Sequence, residues 1–153
     1  MKVQIRPAAE SDLATVQNIV RDAYEHYIIR IARKPGPMLD DYAALIEKGC
    51  VYVADRDGAT IGMIVLIPQT DAMLLDNVAV APEAQGTGLG RQMLSFAEQK
   101  AREAGLGVIK LYTNEAMVEN IALYSRKGYV ETHRLNEKGL RRVYMRKCLD
   151  GPF

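Results

Sequence analysis

Cysteine and histidine are scarce in this chain, and so is any excess of charge. Among 153 residues Cys50 and Cys148 are the two cysteines, His26 and His133 the two histidines, and 20 basic residues face 19 acidic ones for a net charge of +1. Neither cysteine belongs to a C-x-x-C pair or stands at ligand spacing from a histidine, which argues against a metal centre or a disulfide. Both lie in apolar, strand-like runs and read as buried free thiols. With no Ser or Cys at a nucleophile elbow, the two histidines do not make a hydrolase triad. The balanced charge leaves no broad footprint for nucleic acid. No apolar stretch approaches the roughly 20 residues of a membrane span, and the opening Met-Lys-Val-Gln-Ile-Arg-Pro lacks the apolar core of a signal peptide. The expectation is a cytoplasmic protein with no metal and with neither nucleic acid nor membrane as partner. Internal repeats and linkers are missing too, so residues 1–153 are expected to form a single domain.

What is present is a glycine loop. Three glycines alternate in Gln85-Gly86-Thr87-Gly88-Leu89-Gly90, between the apolar run Met73 to Val80 and a helical pattern beginning near Thr87. Without side chains in the way, backbone N–H groups can converge on phosphate oxygens. The opening turn of the helix adds unpaired N–H groups and a partial positive charge. The hexapeptide therefore reads as a pyrophosphate seat built from main chain. It is not a P-loop, because Arg91 and Gln92 follow Gly90 where Lys and Ser or Thr are required. Nor is it a dinucleotide fingerprint, whose last glycine would fall at Arg91 or Met93. What remains is Gln-x-x-Gly-x-Gly, with Gln85, Gly88 and Gly90 in the fixed places.

Hydrophobic periodicity sets the surroundings. Val3 to Arg6 reads as a strand, and Leu13, Val16, Val20, Ala23 and Tyr27 recur at helical spacing from about Asp12. Pro35-Gly36-Pro37 interrupts the chain before a second short helix, Leu39 to Lys48, closed by Gly49. Cys50 to Asp55 and Ala59 to Ile67 are strands joined by an Asp57-Gly58 turn. Met73 to Val80 is the next strand, and Leu89, Met93, Phe96 and Ala97 share one face of the helix that Gly105 ends. Val108 to Thr113 (strand), Met117 to Lys127 (helix), and a hairpin of Tyr129 to Leu135 with Arg141 to Cys148 complete the order β-α-α-β-β-β-α-β-α-β-β, a mixed α/β sheet. The strand, helix and parallel strand around the glycine loop form one crossover unit.

Three blocks carry a family resemblance: Val3-Gln4-Ile5-Arg6-Pro7, Leu75-Asp76-Asn77-Val78-Ala79-Val80-Ala81-Pro82 leading into the loop, and Asn120-Ile121-Ala122-Leu123-Tyr124-Ser125-Arg126-Lys127-Gly128-Tyr129. With them in order around Gln-x-x-Gly-x-Gly, the chain resembles the GNAT superfamily of acyl-CoA-dependent N-acyltransferases over most of its length. The resemblance implies a mostly antiparallel mixed sheet with helices on both faces. It also implies acetyl-CoA as co-substrate and acetyl transfer to a primary amine by direct attack in a ternary complex. It puts the pantetheine arm between the fourth and fifth strands, on backbone groups of Val78 and Val80, with the Val78 amide near the thioester oxygen. Gln85, Gly86, Thr87, Gly88, Leu89 and Gly90 would hold the diphosphate, with Arg91 and Arg126 as candidate partners of the outer phosphate. Asn120 would bind the pantetheine arm and Tyr124 would protonate the departing thiolate. Their i to i+4 spacing puts both on one helix face.

A base is also needed. Asp76 stands two residues before Val78, hence on the same strand face, and could take the amine's proton directly or through water. A purely structural role for Asp76 stays open, as does a core-packing role for Tyr124, Val78 and Val80. Acceptor choice in the resembled family falls to the early helices and the final hairpin. Here Tyr24, Tyr27, Tyr42 and His26 cluster with Arg30, Arg33, Asp40 and Asp41 around the Pro-Gly-Pro turn. Tyr24, Tyr27, Arg30 and Tyr42 are the expected substrate-binding residues. An aromatic cleft with both charge signs suits a small amine bearing a carboxylate, and a peptide amine would also fit. Tyr27 could equally extend the apolar face of the first helix. A protein or peptide acetyltransferase and a non-catalytic acyl-CoA sensor are the alternatives. The oligomeric state, a homodimer included, stays open.

Overall fold

The computed structural model describes residues 2–32, 34–137 and 139–149. Seven strands form one sheet in the order β1-β2-β3-β4-β5-β7-β6: β1 Gln4–Pro7, β2 Val51–Arg56, β3 Ala59–Pro68, β4 Met73–Val80, β5 Val108–Asn114, β6 Val130–Glu137 and β7 Leu140–Cys148. Every neighbouring pair is antiparallel except β4 with β5, the crossover pair that carries the glycine loop. The helices are α1 Leu13–Tyr24, α2 Tyr27–Ile31, α3 Tyr42–Glu47, α4 Leu89–Glu103 and α5 Val118–Arg126. The first helical run is thus broken after Tyr24 and resumes as the short α2. Leu39, expected to begin the second helix, instead ends a 3-10 turn over Gly36–Leu39, and the Asp41 carboxylate then caps α3 by accepting from the Ala44 amide at 3.1 Å.

Strand alternation distributes the core over both faces of the sheet. On β3, Met63 and Val65 pack with Val16, Ile19 and Val20 of α1, whereas Ile64 and Leu66 pack with Leu89, Met93, Leu94 and Ala97 of α4. Burying each such Leu, Ile or Met contributes about 1.5–3 kcal/mol. Glu98 is also buried on α4, held by Lys147 at 3.0 Å and Lys127 at 3.5 Å. One expectation fails at the far edge. Cys50 is buried, but Cys148 is exposed, because Val143 and Met145 turn the odd-numbered side of β7 inward and leave residue 148 on the other.

Two irregularities on β4 shape the site. The ladder to β5 consists of Met73 with Ile109 and Leu74 with Lys110, after which the strands diverge. The ladder to β3 pairs Val65 with Asn77 but Leu66 with Leu75, so Asp76 is an extra residue, a β-bulge.

Candidate active site

The bulge resets which way β4 faces. Leu75 and Val78 both enter the core under α4 and α5, although they are three residues apart, and Asn77 and Ala79 face α1. Asp76 therefore does not share the face of Val78, as regular alternation predicts. It lines a separate cavity with Asp40, Tyr112, Tyr124 and Arg142. Val78 instead lines the larger cleft.

Beyond the bulge the backbone of β4 has a free edge. The Ala81 amide donates to the Ile61 carbonyl of β3, so by alternation Ala79 also faces β3 while Val78 and Val80 direct N–H and C=O toward the gap left by β5. Side chains already occupy both carbonyls. The Tyr24 hydroxyl lies 2.9 Å from the Val78 oxygen, and Gln85 Nε2 donates to the Val80 oxygen at 3.3 Å. The N–H groups of Val78 and Val80 have no strand partner among the described residues.

At the end of this gap lies the glycine loop. Gly86 and Gly88 adopt φ of 79° and 86°, the left-handed region where a side chain would be strained. Gly88 then caps α4 without any side-chain hydrogen bond, so the first-turn amides of a 15-residue helix stay available to an anion. Thr87 lines neither cavity nor cleft; its hydroxyl donates to the Ala84 carbonyl at 2.5 Å and holds the loop closed. A Cβ on Gly90 would stand 3.4 Å from Leu123 Cδ2, which shows how closely α5 approaches the start of α4. The resulting cleft, about 710 Å3, is lined by Val78, Val80, Gln85, Gly86, Gly88, Leu89, Gly90, Arg91, Asn120 and Arg126. Its size falls within the roughly 300–1,000 Å3 of small-molecule sites. Asn120 makes only a weak contact with Met117 Sδ at 3.8 Å, leaving its amide free. Arg91 and Arg126 are exposed and form no ion pair among the described residues.

Tyr124 stands in the wall of the smaller cavity. It is 4% exposed, and its hydroxyl makes no hydrogen bond to a described residue. Burial, with the nearby Tyr27 adding a little, pushes its acidity well below that of an ordinary phenol. Tyr24 lines both spaces and marks their junction. Asn77 ties this junction together: its Oδ1 lies 2.6 Å from the Tyr24 hydroxyl and its Nδ2 donates to Tyr42 Oη at 2.7 Å. The Tyr42 hydroxyl in turn donates to the Pro37 carbonyl at 2.5 Å.

The substrate residues expected from sequence separate. Only Tyr24 reaches the smaller cavity; Tyr27 lines the larger cleft, and Arg30 and Tyr42 line neither. Tyr42 is a buried tie. Arg30 is captured by Glu119 at 2.7 Å and stacks over the Tyr27 ring, while Tyr27 donates to the same carboxylate at 3.1 Å. Burial and then Glu119 push the Tyr27 phenol up to about 12. Arg33 lies outside the described residues. Two groups that sequence reasoning did not bring here, Tyr112 and Arg142, line the cavity from β5 and β7. Asp40 arrives from the early cluster and meets Asp76, its carboxyl raised to about 7 by desolvation and by the neighbouring Asp76 carboxylate, with Arg142 opposing.

A splayed parallel strand pair, a bulge and a glycine loop at a helix start together leave an open strand edge that runs to unpaired helix amides. The profile of the family described as "Acetyltransferase (GNAT) domain" matches residues 47–131, and the chain belongs to that family. It is 32% identical over 102 residues to the aminoalkylphosphonate N-acetyltransferase of Salmonella typhimurium, a match covering 61% of this chain and 66% of that protein. The chain spans about two thirds or less of the first curated relatives it matches, 66%, 64% and 39% of their lengths. In fold it is similar to yncA of Salmonella typhimurium, solved with its cofactor acetyl-CoA, with a TM-score of 0.76 at 23% identity over 99% of this chain and 96% of that one. The ribosomal-protein-S18-alanine N-acetyltransferase of Escherichia coli gives a TM-score of 0.79 at 19% identity, over 99% and 97% of the two chains.

Proposed function

We propose that the chain is an acetyl-CoA-dependent N-acetyltransferase that acetylates the primary amine of a small metabolite by direct attack in a ternary complex. The observation that carries this reading is the free β4 edge running from the glycine loop toward Tyr124, whose hydroxyl makes no hydrogen bond to a described residue. The loop amides and the start of α4 receive the diphosphate, with Arg91 and Arg126 toward the outer phosphate. The N–H groups of Val78 and Val80 and the Asn120 amide hold the pantetheine arm. The Val78 N–H donates to the thioester oxygen, a contribution of about 3 kcal/mol in the transition state for a donor of this kind.

Asp76, backed by Asp40, takes a proton from the incoming ammonium. The nitrogen lone pair then forms the C–N bond, the C–S bond breaks, and its electron pair goes to sulfur. Tyr124 gives its proton to sulfur as the nitrogen sheds its second proton toward the phenol oxygen. Concerted exchange is required because burial disfavours a free phenolate. The acceptor cavity is about 80 Å3 beside a cleft of about 710 Å3, which favours a small amine over a folded partner. The reading places a single transferase domain in the cytoplasm. No helix among the described residues is long and apolar enough to cross a membrane.

Thiol release from acetyl-CoA, screened against amino acids, aminoalkylphosphonates, polyamines, aminoglycosides and peptides, tests the proposal. Turnover with a small amine is expected. Acetyl-CoA binding without turnover by any class would leave a sensor, and turnover confined to peptides would move the acceptor to proteins.

A further inference from the structure

The polar groups that meet in the acceptor cavity come from four separate parts of the chain. Asp40 follows the 3-10 turn, Asp76 is the β4 bulge residue, Arg142 comes from β7, and Tyr112 lies beside Arg142 on β5. Arg142 is held in place rather than free to wave in solvent. Its guanidinium lies 4.5 Å from the centroid of the Tyr112 ring, its side chain is 20% exposed, and Glu137 approaches to 3.7 Å, beyond hydrogen-bond reach. Its Nη2 comes within 4.0 Å of where a Cβ on Gly36 would stand, so the turn is bare where the guanidinium enters. Opposite in sign are the Asp40 and Asp76 carboxyls, which line the same cavity and bear on one another's charge. The Tyr124 hydroxyl, which makes no hydrogen bond to a described residue, lines the same space and on the transferase reading marks where the reacting nitrogen comes.

Resting on the transferase reading, we propose that this cavity selects a short zwitterionic acceptor, its ammonium on the Asp40–Asp76 carboxyls and its phosphonate or carboxylate on Arg142. A planar guanidinium pinned by stacking presents paired N–H donors to a planar or tetrahedral oxyanion. The carboxyl pair provides the complementary pole. Two carboxylates pressed together favour sharing a proton, and an ammonium arriving between them replaces that proton as the neutralising charge. Desolvation and then the Asp76 charge raise Asp40 to about 7, which fits a site that is incomplete until a cation enters. A diamine would set its second ammonium against Arg142, and like charges at that range are repelled. The selection is thus made by rejection as well as by fit.

The test compares 2-aminoethylphosphonate and β-alanine with ethanolamine, which keeps the amine and lacks the anion, and with putrescine. Thiol release from acetyl-CoA is expected to give higher kcat/KM for the two zwitterions. Arg142→Gln should reduce that preference at least about tenfold, mainly through KM, the scale of one lost charged hydrogen bond. Arg142→Lys should restore part of it. A wild-type preference for putrescine or ethanolamine overturns the proposal, and so does an equal loss for zwitterions and ethanolamine in Arg142→Gln. Calorimetry of 2-aminoethylphosphonate added to protein saturated with coenzyme A separates the two readings. Arg142-dependent binding without transfer counts against the transferase reading alone, and transfer to other amines without such binding counts against the zwitterion site alone.

Discussion

At the residue scale, Tyr124 carries the sharpest consequence. The Tyr124 hydroxyl lines the cavity and makes no hydrogen bond to a described residue, so Tyr124→Phe is expected to leave the melting temperature near that of the parent. Turnover should fall about 100-fold, the lower end for loss of a general acid, while acetyl-CoA binding by calorimetry stays near that of the parent. Asp40 gives a pH signature. It is faced by Asp76 on β4, Tyr42 on α3, Tyr112 on β5 and Arg142 on β7. The pair accepts a proton only once Asp40 has lost its own, so kcat/KM should rise through about pH 7, and Asp40→Asn should move that limb toward acid. The stability sign is opposite. A carboxyl raised above its unfolded value of about 4 favours the fold below that pH, and the gain is lost as pH rises through about 7. Asp40→Asn should therefore gain more thermal stability relative to the parent at pH 8 than at pH 5. Asp40 is exposed as a residue even though it lines the cavity, so water screens its carboxyl in part and the effect is small.

At the scale of elements, α4 is fastened at both ends by different means. Its start is open toward the cleft, and its second half is anchored by Glu98 to Lys147 of β7 and to Lys127, just past the end of α5. Glu98→Ala should cost about 2–3 kcal/mol in chemical denaturation, because it leaves two partly buried ammonium groups without their carboxylate. Much of this layer was legible in the sequence. The glycine loop and the apolar stripe of α4 are local patterns that keep their places in the fold, whereas Asn120 and Tyr124, four apart on α5, line different spaces. The capture of Arg30 by Glu119, 89 positions away, is not local. Neither is the arrival of Arg142 beside Asp40, which depends on β7 inserting between β5 and β6. Period-two reading also assumed an unbroken ladder, and so it grouped Asp76 with Val78, whereas with the bulge between them the two line different spaces.

For the whole molecule, the sheet is a continuous surface with one seam. Amides of Ala79 and Ala81 are tied to β3, whereas those of Val78 and Val80 open onto the gap beside β5. Hydrogen exchange should accordingly be faster at Val78 and Val80 than at Ala79 and Ala81 in the free protein. Saturating coenzyme A should slow the first pair selectively. Equal protection of all four amides before and after addition would show that the gap does not receive the cofactor. At 100 times the dissociation constant, binding should also add about 2.7 kcal/mol to apparent stability.

The bulge at Asp76 makes the length of β4 a matter of parity. Removing residue 76 would leave every other residue type in place, yet the two halves of the strand could no longer both keep their assignments. Either Met73 and Leu75 would leave the core beneath α4, or Val78 would abandon the cofactor side. One surplus amino acid thus lets a single strand line two chambers at once, which on the proposed reading receive the amine and the thioester. A homologue in which that surplus is lost should keep the sheet and forfeit the meeting of its two substrates.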